Sequence, residues 1–258
     1  MTDEHSITRM DAFTYRRVLA EEDPVVLIPV GAMEQHGPHM PISVDVLLST
    51  RITELVAEEL GAALVAPAVT TGYKSQQRSG GGNHIIGSFG FDASTVVSVC
   101  QTLVRELARH GARRIAFVNG HYENYQFIYE GVDLALRELG GQRAGVQVMM
   151  LSYWDYVTDD VISRLYPDGF PGWDVEHGGV METSLMLEYF PDLVAMDRVM
   201  DLPAAQLPLY DLLPVDPGLT PDSGCLSSGR QASAEKGRVL ASSIVPGIVQ
   251  AVRNRLEV

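Results

Sequence analysis

Glu34, His36 and Asp45 stand close together in residues 25–45, VVLIPVGAMEQHGPHMPISVD, directly after an apolar, β-branched run. Hard carboxylate oxygens beside an imidazole nitrogen make a donor set for a divalent cation. A second pair, His121 and Glu123, follows another apolar run in NGHYE. Glu34-x-His36 and His121-x-Glu123 share one spacing, and in extended backbone residues i and i+2 point to the same side. Each pair can therefore offer one oxygen and one nitrogen to a common region. With Asp45, the two histidines and three carboxylates meet the needs of two adjacent ions, one carboxylate bridging them. Two metals roughly 3.5–4 Å apart polarise a carbonyl and generate hydroxide between them. E-x-H alone is a weak signal, since a lone Glu or His in a loop is usually solvated. Its recurrence at the ends of two strands, with Asp45, carries the reading.

Two further stretches invite chemistry. Residues 74–84, KSQQRSGGGNH, form a polar, glycine-rich loop. It lacks the GKS or GKT of a phosphate loop, and no dinucleotide fingerprint follows a strand. A loop whose backbone approaches a small ligand is the better reading. Residues 172–183, GWDVEHGGVMET, set an aromatic, three acids and a histidine before an apolar helix. His177 suits a proton donor or acceptor, since histidine is the side-chain type that exchanges a proton near neutral pH. Trp173 reads either as a lid over a flat ligand or as core. Glu182 reads as a first-turn acid that favours the helix dipole.

These residues need elements to position them. Short apolar runs without alternation, at residues 25–30, 63–69, 115–118 and 146–151, fit strands buried on both faces of a parallel sheet. Between them lie helical stripes: Leu48, Ile52, Leu55 and Val56; then Val96, Val99, Cys100, Leu103 and Leu107; then Ile128, Val132, Ala135, Leu136 and Leu139. Asp92 or Ser94 would cap the second stripe and Gly111 would stop it, while Gly140 and Gly141 end the third. A last helix is expected over residues 234–256, kinked at Pro246. Strand and helix in strict alternation give an α/β fold. Residues 202–229 carry five prolines and read as an irregular excursion, so residues 1–258 are expected to form a single domain. Ligands in open α/β sheets bind beyond the carboxyl ends of the strands. Glu34 and His36, the NGHYE group, and Tyr153, Trp154 and Asp155 all follow such ends.

The composition narrows the partners. The chain has 258 residues and a net charge of −14. Nucleic-acid binding needs clustered Lys and Arg, and there is no basic stripe. No apolar run approaches the ~20 residues of a membrane span. Cys100 lies within an apolar stripe and Cys225 in a Ser- and Gly-rich stretch. Two unpaired thiols and the polar start MTDEHSITRM lead us to expect a cytoplasmic protein.

LIPVGAMEQHGPHMPISVD, VNGHYENYQF and DVEHGGVMETSLML together resemble the signature segments of the creatininase family. The similarity runs on through YKSQQRSGGGNH, LARHGARR, LSYWDYV, DGFPGWD and the Pro-rich tail, and so covers nearly the whole chain. The resemblance implies a three-layer α/β/α fold on a mainly parallel sheet. It implies a two-metal amidohydrolase site with Mn2+ and/or Zn2+, Glu34 and His121 on one ion, His36 and Glu123 on the other, and Asp45 between. Ser79, Tyr122, Trp173, Asp174 and His177 would line the substrate pocket, with Trp154 a second aromatic at its mouth. Tyr122-Glu123, both tryptophans and the YKSQQ loop are similar to the branch that interconverts creatinine and creatine. His177 would then pass a proton to the departing ring nitrogen, and Glu123 would assist as base. Asp174 and Glu176 would orient the guanidinium-like part of the substrate. A homo-oligomer, typically a hexamer, is implied as well. Ile85-Ile86-Gly87-Ser88 departs from the Phe-Pro-Gly-Thr-like turn of many relatives. The competing readings are the same dimetal chemistry on another small amide, such as an N-formyl or cyclic ureide compound, and a non-catalytic metal or ligand binder.

Overall fold

The computed structural model describes residues 4–141 and 145–257. Four strands form one parallel sheet: β1 (Val25–Val30), β2 (Ala63–Val65), β3 (Arg114–Asn119) and β4 (Gln147–Ser152), in the order β2-β1-β3-β4. The ladder is in register from Val25↔Arg114 to Val30↔Asn119 and from Arg114↔Gln147 to Asn119↔Ser152. As a result β1, β3 and β4 end at one level, and the residues after them face one edge.

Every residue of β1 is buried, and alternate side chains enter different cores. Val25 and Leu27 join one layer with helices α2 (Val44–Leu60), α6 (Val180–Tyr189) and α7 (Ala234–Leu256). Val26, Ile28 and Val30 join the other with α1 (Ala12–Glu21), α3 (Ala93–Arg109) and α4 (Tyr125–Glu138). Helix α5 (Asp159–Leu165) adds Val161 and Leu165 to the first layer. Each fully buried Leu or Ile contributes roughly 1.5–3 kcal/mol of transfer free energy, so both faces drive the strand into the middle of the fold. The result is the expected three-layer α/β/α arrangement.

Most expected elements appear within a residue or two. Strand β2 is shorter than its apolar run: it stops at Val65, just before Ala66-Pro67, because proline has no N–H for the ladder. The chain returns at Val69, whose N–H donates to Pro29 O at 2.9 Å and whose carbonyl accepts from Gly31 N at 2.9 Å. This also explains how Pro29 is tolerated in a central strand. The side of β1 on which its N–H is missing faces the gap left by β2. Asp92 sits at the N-cap of α3 but makes no side-chain cap bond; its carboxylate takes Lys74 Nζ at 2.5 Å instead. Gly111, Gly140 and Gly141 take positive φ after α3 and α4, as their positions suggest. Helix α1 and the short α5 were not expected from the sequence. Among the described residues, no helix is long and apolar enough to cross a membrane.

Candidate metal centre

The loop after β1 carries Glu34 and His36, then turns back so that the first turn of α2 brings Asp45 beneath the strand ends. Gly31 and Gly120 make that return possible. A Cβ on Gly31 would lie 2.7 Å from the Asp45 carbonyl carbon, and one on Gly120 would lie 2.7 Å from Asp45 O. Helix α2 thus starts against bare backbone at the ends of β1 and β3. Two asparagines brace these ends. Asn124 donates to Gly31 O at 3.0 Å and accepts from Tyr73 N at 2.7 Å, and Asn119 donates to His121 O at 2.7 Å.

Glu34, His36, Asp45, His121 and Glu123 are all buried, His36 completely. Two donor groups share Asp45: Glu34, Asp45 and His121 form one, and His36, Asp45 and Glu182 the other, the atoms of each within 4.8 Å of one another. His121 Nδ1 lies 3.4 Å from Glu34 Oε1 and 3.1 Å from Asp45 Oδ2. His36 Nε2 lies 3.0 Å from Asp45 Oδ1 and 3.6 Å from Glu182 Oε1. A third grouping adds His177 to Glu34 and His36.

The imidazoles are preset for this. His36 Nδ1 donates to Glu34 O at 3.1 Å, His121 Nε2 to Tyr73 O at 2.9 Å, and His177 Nε2 to Gln35 O at 3.0 Å. A carbonyl only accepts, so in each neutral ring the other nitrogen carries the lone pair. That nitrogen faces the carboxylates in all three rings, and backbone partners of this kind commonly orient metal-binding histidines. Among the described residues His36 Nε2 and Asp45 Oδ2 are buried with no hydrogen-bond partner, an arrangement that is costly without a cation between them. Charge points the same way: Glu34, Asp45, Glu123 and Glu182 together carry about −4, which two divalent ions balance.

Without a cation the imidazoles absorb part of that charge. Burial pulls His36 down, but Glu182 and Asp45 outweigh it and raise its pKa well above the ordinary value. His121 behaves alike, with Glu34 and Glu123 raising it against burial. Burial would raise Glu34, yet His121, His177 and His36 hold it below the usual carboxylate range. Glu123 ends higher than usual because burial and Glu34 outweigh His121.

The 73–79 loop wraps this side of the centre. Ser75 donates to Glu34 Oε2, Ser79 to Glu123 Oε1, and Gln76 N to Glu123 Oε1 at 3.2 Å. Glu123 Oε2 lies 3.2 Å from His121 Nε2, on the far side of that ring from Glu34. In this arrangement it is Glu182, at 3.6 Å, that faces His36 Nε2, while Glu123 lies against His121. The cause is the short 3-10 turn Tyr122–Asn124, which turns Glu123 back toward the 73–79 loop while α6 delivers Glu182. Glu182 does what a first-turn acid does, accepting from Gly178 N at 2.6 Å with Oε2, and its Oε1 faces His36.

The expected pocket residues are more open. Tyr122 is 70% exposed and Trp173 44%, and Asp174 is exposed on the same short turn as Trp173. Trp154 packs against the α2–α6–α7 core and edge-on to Tyr153, 5.2 Å between ring centres. The His177 ring lies 4.1 Å from that of His36. Glu176 is turned away from the centre: its carboxylate accepts from Tyr166 Oη at 2.7 Å and Met181 N at 2.5 Å.

The creatininase family model, described as creatinine amidohydrolase, matches residues 9–252. Creatinine amidohydrolase of Pseudomonas putida is 56% identical over 243 residues, 93% of this chain and 92% of its own. Among solved structures, a manganese creatininase superposes with a TM-score of 0.93 at 53% identity, covering 98% of both chains. A mutant creatininase complexed with creatine superposes at 0.92 and 53%, again over 98% of both.

Proposed function

We propose that this chain, which belongs to the creatininase family, hydrolyses the ring amide of creatinine to give creatine and runs the step in reverse. The observation that carries this reading is the pair of buried donor groups that share Asp45, with the unpartnered His36 Nε2 and Asp45 Oδ2 turned into them. Glu34, Asp45 and His121 would hold one divalent ion, manganese or zinc, with Glu123 beside them; His36, Asp45 and Glu182 would hold the other. Bound there, two divalent ions would supply Lewis-acid polarisation of an amide carbonyl and a water acidified toward neutral pH.

The remaining work falls to the chain. His177 has its Nε2–H fixed on Gln35 O, which leaves Nδ1 to carry the mobile proton. His177 Nδ1 takes one proton from the water as its oxygen bonds to the ring carbonyl carbon, the ring C–N bond breaks and the nitrogen leaves with that proton; the new carboxyl gives up the second proton to the guanidine, leaving carboxylate and guanidinium. Glu123 is assigned the part of base on the first ion's side. Trp173, Tyr122 and Trp154 cover the flat substrate and keep bulk water out. Ser79 and Asp174 bind its polar edge, whereas Glu176, engaged with Tyr166 and helix α6, takes no part in that contact.

We also assign the whole chain to one hydrolase domain acting in a homo-oligomer, a hexamer by family resemblance. Ile86, Leu209 and Leu213, 80–92% exposed, are the kind of apolar surface that association covers. Two buried, unpaired cysteines accord with a reducing cytoplasm. The direct test is interconversion of creatinine and creatine by protein loaded with Mn2+ or Zn2+. Chelation should abolish turnover and added metal should restore it. Two bound ions per chain with no turnover in either direction, or turnover of a different amide alone, would refute the substrate assignment.

A further inference from the structure

The two donor groups are anchored differently. Glu34, Asp45 and His121 arise from the ends of β1 and β3 and from the helix start packed on them, all tied by the sheet ladder and by glycine contacts. Glu182 arises from α6, which has no ladder bond to the sheet. Its distance from His36 depends on how α6 is tied to the loop after β1. Beyond the packing of α6 with α2 and α7, two side-chain bonds among the described residues tie α6 and the turn before it to that loop, one on each side of the His36–Glu182 approach. His177 Nε2 donates to Gln35 O at 3.0 Å, and His39 Nε2 lies 3.0 Å from Thr183 Oγ1. Gln35 precedes His36 and Thr183 follows Glu182, so the ties flank the approach directly.

The His39–Thr183 bond is enclosed. His39 is 2% exposed and Thr183 fully buried. The His39 carbonyl accepts from Ala195 N at 2.9 Å, which fixes the ring's backbone from the segment beyond α6. Gly229 closes over the bond: a Cβ there would lie 2.7 Å from Thr183 Oγ1 and 3.2 Å from His39 Nε2. Both residues are buried, so breaking the bond strips a polar atom of its partner and removes the tie between α6 and the loop. His39 belongs to none of the donor groups.

We propose that His39, acting through Thr183, is a positioning residue for the second ion: it sets the separation of His36 from Glu182, and so governs occupancy of the His36–Asp45–Glu182 group without touching it. This rests on the ligand reading given above. Partners that orient metal ligands typically alter affinity by ~10–100-fold when removed.

The test is Mn2+ titration of metal-free protein, with bound metal counted per chain and the spin-coupled manganese pair followed by electron paramagnetic resonance. Thr183→Val removes the hydroxyl at nearly constant volume. It should weaken the second ion about tenfold or more, leave the first at native affinity and replace the coupled signal by that of isolated Mn2+. Thr183→Ser should restore both. His39→Leu should repeat the selective loss, and the double variant should be no worse than either single one, as expected of one shared interaction. Should His39→Leu not fold, the Thr183 pair decides alone. Native affinity for both ions in Thr183→Val, or equal loss of both, would overturn the proposal. Glu182→Gln separates this failure from that of the ligand reading: if it still binds two ions at native affinity, the ligand reading itself falls.

Discussion

Replacing Glu176 by glutamine should make the metal-free protein more stable at alkaline pH, because this carboxyl is held where its charge is poorly solvated. Burial pushes it up to about 7, from 4.5 in the free side chain. The Tyr166 bond pulls the other way, the Glu182 charge adds to the rise, and the amides of Met181 and Glu182 lower it. Between those two pH values the folded chain keeps a proton that the unfolded chain has lost, so stability falls as pH rises through the window and levels off above it. At about 1.36 kcal/mol per pH unit, the interval from 4.5 to about 7 gives at most ~3.4 kcal/mol. Solvent screening of a half-buried residue brings the expected value nearer ~2 kcal/mol. The amide of Glu176→Gln can still accept from Met181 N and pair with Tyr166 Oη, so packing is kept while the charge is removed. Urea unfolding of wild type and variant between pH 5 and 8.5 should show similar stabilities at pH 5 and a variant ahead by ~2 kcal/mol at pH 8. Loading with metal should shrink the difference, since the Glu182 charge is then neutralised. A variant that differs from wild type by the same amount at every pH would refute the reasoning.

Gly120→Ala should cost ~1–3 kcal/mol of stability, because its Cβ would lie 2.7 Å from Asp45 O and 2.9 Å from Ser49 Cβ, and the backbone of α2 cannot yield without moving Asp45. As both donor groups share Asp45, thermal unfolding and metal titration should show lower stability together with weaker binding of both ions; native affinity for either would contradict the bridging role. Metal affinity should fall as pH falls, since His36 and His121 are raised and each must release its proton to bind an ion. Calorimetric Mn2+ titration in buffers of different ionisation enthalpy should record proton release, and none at neutral pH would remove the basis for that expectation.

The sheet and its helices were legible because their signals are local. Continuous apolar runs and stripes of i, i+4, i+7 spacing state burial directly, and glycines after α3 and α4 mark where a left-handed residue ends a helix. Helix α1 escaped because only Val18 and Leu19 of it are buried, too few to set a period. The early end of β2 is a backbone effect of Pro67, which an apolar run conceals. The open setting of Tyr122 and Trp173 is likewise invisible to residue type, because exposure depends on what covers a loop and not on the loop itself.

Glu182 shows where reading by spacing stops. The matching two-residue patterns place both pairs at strand ends without saying which donors share an ion; the pairing of His36 with Glu123 is what the resemblance implies, and neither looks beyond the strand edge for a donor. A side chain on a helix packed across that edge arrives at the same place with no sequence pattern linking it to the others. Its signal was read for one oxygen only: as a first-turn acid it does cap α6, through Gly178 N, but a carboxylate has two oxygens and the cap occupies Oε2. The remaining Oε1 points at His36, whose Nδ1 is taken by Glu34 O and whose Nε2 is free for a cation. Counting the acceptors left over after each local bond, at every acid in a first helical turn near a strand edge, would have raised Glu182 as a ligand candidate. The same count explains why Glu176 is the weaker candidate for a role at the centre. Both its oxygens already accept a hydrogen bond, from Tyr166 and Met181, whereas Glu182 keeps an oxygen with no local donor.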